Sequence, residues 1–97
     1  MERKIVIDLL RAHLPELKER YAVQRLSLFG SAARDELRPD SDIDVLVAFE
    51  GQATYERYVG LRDHLEQMLG RRVDLVTERG LKPRARSVVE KDLVRVA

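Results

Sequence analysis

Apolar residues recur at Ile5, Leu9, Leu14, Leu17 and Tyr21, close to the helical period, so the first segment predicts helix. Pro15 falls inside that pattern. A proline ring removes an amide donor and crowds the preceding turn, so the spacing predicts a break near His13 and a restart with Pro15 in the first turn of a second short helix. Leu26 to Phe29 is a short apolar run that stops at Gly30, which predicts a buried strand ending in a tight turn. Ala-Ala-Arg-Asp-Glu-Leu after Ser31 predicts one to two turns of helix. Arg38-Pro39-Asp40-Ser41 is turn chemistry, and Asp42 to Phe49 is a β-favouring run with carboxylates only at its beginning. Thr54 is placed to cap a helix with Tyr58, Leu61, Leu65 and Met68 as its apolar stripe, and Gly70 to end it. Arg72 to Thr77 predicts another short strand. Pro83 opens a last helix with Ala85, Val88 and Val89 inward, and Leu93 to Val96 predicts a short edge strand. The fold class that follows is α+β, a small mixed β-sheet with flanking helices whose polar end carries the acids.

That polar end holds the chemistry. Side chains alternate along a strand, so Asp42 and Asp44 project to one side, roughly 7 Å apart along the backbone, and Ile43 faces the core. Two carboxylates so placed repel each other unless a cation joins them, and hard oxygen ligands select Mg²⁺ or Mn²⁺. Asp74 sits one residue inside its own strand. If the two strands are neighbours, three carboxylates converge, a set suited to two-metal phosphoryl or nucleotidyl transfer, with Asp74 a metal ligand or a general base. Glycine at position 30 lets the backbone approach a phosphate, and the Ser31 hydroxyl can donate to one. Asp-x-Asp alone is a weak signal, because acids at strand ends are usually solvated. Gly-Ser at a fixed distance before it strengthens the signal: a chance match in so short a chain is on the order of one in a thousand.

Composition narrows the class. With 97 residues, 44% hydrophobic and 36% charged, the chain predicts one soluble globular domain spanning 1–97. A formal charge of +1 and few aromatics give no basis for direct polynucleotide binding. Arg71, Arg72, Arg79, Lys82, Arg84 and Arg86 concentrate positive charge late in the chain and read as a solvated face. Cysteine is absent, which excludes disulfides and thiolate metal sites. His13 and His64 have no ligand spacing in the sequence and read as ordinary helix residues. The apolar run near the N-terminus is broken by Asp8, so neither a signal peptide nor a membrane span is expected, and the expected location is the cytoplasm.

Gly30-Ser31, ten residues, then Asp42-Ile43-Asp44 resembles the signature of the polymerase-β-type nucleotidyltransferase superfamily. The flanking residues resemble its smallest members, the minimal nucleotidyltransferases (MNT): His13-Leu14-Pro15-Glu16-Leu17, Tyr21-Ala22-Val23, Leu69 to Thr77 and Leu81-Lys82-Pro83. The resemblance implies a polymerase-β-like fold. It also implies Gly30 and Ser31 on the triphosphate, the Asp42 and Asp44 pair on two Mg²⁺ ions, Asp74 as the third carboxylate, and ATP as the substrate. MNT proteins are commonly antitoxins of helical HEPN-type ribonucleases, so the resemblance implies transfer of AMP to a tyrosine hydroxyl of such a partner. One residue departs from the pattern: Asp35 follows Arg34 where family members often have Gly. Aspartate tolerates a positive φ better than most residues, and Arg34 is placed to offset its charge near a nucleotide phosphate. Two other readings stand beside the transferase: a non-catalytic antitoxin acting by occlusion, and a two-metal phosphohydrolase that releases free AMP.

Overall fold

The computed structural model describes residues 1–97. The elements in chain order are α1 (Arg3–Tyr21), β1 (Val23–Phe29), α2 (Gly30–Ala33), β2 (Ile43–Phe49), α3 (Tyr55–Leu69), β3 (Val73–Thr77), α4 (Pro83–Lys91) and β4 (Val94–Arg95). The four strands form one mixed sheet in the order β3-β2-β1-β4, with β2 and β3 parallel and the other two pairs antiparallel. The expected α+β architecture is the one observed.

Alternation along β2 sorts the two faces of the sheet. Ile43, Val45, Val47 and Phe49 point into the main apolar cluster, together with Val6, Leu10 and Leu17 of α1 and Leu61, Leu65 and Leu69 of α3. Helices α1 and α3 therefore cover one face. Asp44 and Leu46 alternate to the other face, where Leu46 and Val89 of α4 are buried outside that cluster. Each fully buried Leu or Val contributes about 1.5–3 kcal/mol, so the α1/α3 side carries most of the stability.

Helix α3 begins and ends as its sequence predicts. The Thr54 hydroxyl accepts from the Arg57 amide at 3.2 Å, and Gly70 closes the helix in the left-handed region at φ 68°. Helix α1 differs from expectation: it is one continuous helix with Pro15 inside it. Pro15 is exposed, and Leu10 and Leu17 on either side are held by the same core, so packing overrides the local cost of the ring. The buried stripe of α1 is Val6, Leu10 and Leu17, while Ile5 is 47% exposed. Helix α2 lasts a single turn. Asp35 adopts φ 60°, and a left-handed residue turns the chain out of the helix. In α4 only Val89 is buried, while Ala85 and Val88 face solvent; Val88, adjacent to Val89, turns about 100° away from its contact line. The edge strand falls at Val94–Arg95, paired with Leu28 and Ser27. No helix is long and apolar enough to cross a membrane.

Candidate active site

Three local features bring the acidic end together. Strand β1 runs antiparallel to β2, so its last residue, Phe29, pairs with Asp44 and the Gly30 turn lies directly over the start of β2. Strand β3 runs parallel to β2 in a register that pairs Asp44 with Asp74. Alternation then places Asp44 and Asp74 on the same face of the sheet, opposite α1 and α3.

Gly30 is required here for two reasons. Its φ is +62°, and a Cβ built on it would lie 2.3 Å from Oδ2 of Asp44. The Asp44 carboxylate thus rests against the bare backbone of the turn. Asp44 is half-buried, and its pKa is raised to about 6. Loss of hydration is the largest cause, followed by the charge of Asp74, a hydrogen bond between the two carboxyl groups and the charge of Asp42; Arg34 opposes them.

The remaining sequence-selected residues surround this pair. Asp42 is exposed, its Oδ1 pairs with Arg72 Nε at 3.4 Å, and its charge reaches Asp44. Ser31 follows Gly30 as the second residue of α2, with its backbone carbonyl accepting from the Glu36 amide at 2.8 Å. Arg34 Nη1 donates to Asp92 at 2.9 Å and its Nε to Glu36 at 3.3 Å. Its charge reaches Asp44, but its fork is already held by two carboxylates.

Asp35 has a role that local sequence does not show. Its Oδ1 accepts from the Arg3 backbone amide at 2.8 Å, so it caps the start of α1 from 32 residues away. Arg3 Nη1 in turn donates to the Ala33 carbonyl at 2.9 Å. The acid that departs from the family pattern is thus aimed at a helix N-terminus and tied there, where its charge is favourable. The late basic residues Arg72, Arg79, Lys82, Arg84 and Arg86 are exposed, as a solvated face requires, while Arg71 is half-buried and donates to the Arg38 carbonyl. His13 and His64 lie in α1 and α3 as the sequence predicts, and the packing of those helices brings them together with Glu16, a proximity that no spacing in the sequence signals. Asp92, Arg72 and Arg3 were missed as site partners, since nothing in the local sequence signals contacts across 30 or more residues.

Carboxylates alone form the donor set of the acidic end, which fits a hard divalent cation.

Residues 10–96 match the family described as Nucleotidyltransferase domain. The chain is 41% identical over 89 residues to the protein adenylyltransferase MntA of Thermococcus cleftensis, covering 92% of this chain and 90% of that protein. A solved structure of a candidate minimal nucleotidyltransferase superposes with TM-score 0.81 at 41% identity, covering 97% and 95% of the two chains. At 22% identity, a complex of a tri-AMPylated Shewanella oneidensis HEPN toxin with its MNT antitoxin shares the fold with TM-score 0.68, covering 94% and 71%. By motif, sheet order and these relationships together, this chain belongs to the nucleotidyltransferase family in its minimal branch and is a nucleotidyltransferase.

Proposed function

We propose that the chain, acting as a single domain over 1–97, transfers AMP from ATP to a tyrosine hydroxyl of a helical HEPN-type toxin and so serves as its antitoxin in the cytoplasm. The observation that carries the reading is the pairing of Asp44 with Asp74 over the bare backbone of Gly30. In the reaction the acceptor oxygen attacks the α-phosphorus of ATP, an oxygen–phosphorus bond forms, the bond to the bridging oxygen breaks and pyrophosphate leaves. Asp74, the more exposed of the pair, accepts the hydroxyl proton. Gly30 and Ser31 receive the leaving end of the triphosphate, and Arg34 lies within electrostatic reach of it. Asp42, Asp44 and Asp74 would hold two Mg²⁺ or Mn²⁺ ions, which neutralise the phosphate charge. Asp42 must then exchange Arg72 for the metal.

An acid at Asp35 close to a nucleotide phosphate would favour a non-catalytic antitoxin. Its hydrogen bond to the start of α1 instead supports the catalytic reading. The reading is tested with α-labelled ATP, Mg²⁺ and the product of the neighbouring gene. Label on a partner tyrosine, lost with Asp44→Ala, is expected. A stable complex that takes no label would point to occlusion, and free AMP without a partner would point to hydrolysis; either result overturns the proposal.

A further inference from the structure

On the face of the sheet opposite the acids, α1 and α3 bring His13, Glu16 and His64 together, with one ligand atom of each within 4.8 Å of the others. The geometry points to a second metal site here, for a Zn²⁺-class ion held by two imidazoles and one carboxylate with its remaining positions open to water. Nitrogen and carboxylate oxygen bind Zn²⁺ at about 2.0–2.2 Å, so a tetrahedral set needs its ligand atoms roughly 3.5 Å apart. Side-chain rotation of about 1 Å closes the difference. Imidazole donors select Zn²⁺, Ni²⁺ or Cu²⁺ over Mg²⁺, so this site and the acidic end sort ions by chemistry.

The surroundings orient each ligand. Glu16 Oε1 is held by Arg20 Nη1 at 3.2 Å, which leaves Oε2 facing His13 Nδ1 at 4.0 Å. The His64 Nδ1 is 2.9 Å from the Tyr21 hydroxyl, which leaves Nε2 for the metal. Outer partners of this kind set the tautomer and ring direction of metal-binding histidines. Tyr21 itself reaches that position because α3 carries glycine one turn before His64: a Cβ on Gly60 would lie 2.9 Å from the Tyr21 ring. Glycine is unfavourable inside a helix relative to alanine, and here it makes room for the ring that orients His64. A bound ion would join α1 to α3 through side chains that are otherwise partly exposed.

The test uses tag-free protein carrying Asp44→Asn, so that the acidic end is disabled, with Co²⁺ as a spectroscopic probe and Zn²⁺ as competitor. Expected are visible Co²⁺ bands stronger than those of the aqua ion, abolished by one equivalent of Zn²⁺. Adding His13→Asn and Glu16→Gln, both on the partly exposed side of α1, should leave the far-ultraviolet dichroism unchanged and weaken binding at least tenfold. Tyr21→Phe, which keeps the ring and removes the hydroxyl, should weaken it about tenfold. An aqua-ion spectrum in the Asp44→Asn protein, or binding unchanged by the paired substitution, would overturn the site.

Discussion

Asp44 lies beside Asp74 in the parallel register, and loss of hydration together with that neighbouring charge lifts the Asp44 pKa to about 6 from 3.8 for a free side chain. Between those values the folded protein binds more protons than the unfolded chain, so stability falls as pH rises through the window, and the penalty is complete above about 6. Asp44→Asn removes the charge. It should raise the melting temperature at pH 7.5 by several degrees, about 1 kcal/mol once solvent screening of this half-exposed group is discounted, while abolishing transfer. Near pH 4 the gain should vanish. Thermal melts across pH decide the matter: a variant less stable than the parent at pH 7.5, or equally stabilised at both ends, contradicts the electrostatic account.

Gly30 and Gly70 have nearly the same backbone, φ +62° and +68°, but different surroundings. A Cβ at Gly70 meets nothing within 4 Å, whereas one at Gly30 strikes the Asp44 carboxylate. Gly70→Ala should therefore cost only the left-handed penalty, about 1 kcal/mol. Gly30→Ala should cost about 1–3 kcal/mol more and lose transfer, because Asp44 has to move. Urea denaturation of the two variants, with labelling assays alongside, measures the difference. Equal losses would show that Asp44 yields freely.

Asp35 combines an unfavourable φ with a favourable cap. Asp35→Gly relieves the first and forfeits the second, each about 1 kcal/mol, so stability should hardly change. Asp35→Ala loses the cap and adds the greater left-handed strain of alanine, and should cost about 1–2 kcal/mol. Chemical denaturation of both variants separates the two contributions. An alanine variant as stable as the parent would remove the cap from the account.

Much of this was legible because it is local. Gly30, Thr54 and Gly70 are read from single positions that demand a turn or a cap, and the alternation along Ile43, Asp44 and Val45 sends Asp44 to the face opposite the core without any knowledge of the partners. The adjacency of Asp44 and Asp74 could only be posed as a condition on strand order, which depends on the parallel β2/β3 crossover through α3. Contacts such as Arg34 with Asp92, Asp35 with the start of α1, and His13 with His64 join distant residues through tertiary packing, and no periodicity encodes them. The same packing explains the missed continuity of α1, where a local rule about proline met a core that holds both sides.

Pro15 is the clearest case of that contest and carries the last prediction. Its ring denies the Arg11 carbonyl a helical donor and crowds the turn, a cost of about 3 kcal/mol in a free helix interior. The helix persists because Val6, Leu10 and Leu17 are buried, Arg3 is tied to Asp35, and the Ala22 amide closes the far end on the Lys18 carbonyl at 3.1 Å. Pro15 touches solvent on its own face, so alanine there removes the conflict without opening a cavity. Part of the gain is returned, since proline also restricts the unfolded chain by about 0.4–1 kcal/mol. Pro15→Ala should therefore stabilise by about 2 kcal/mol, seen as a higher urea midpoint with an unchanged slope and unchanged labelling of the partner. A midpoint at or below that of the parent would mean that α1 is shaped around the proline, so that its curvature, and not only its buried stripe, fits the core.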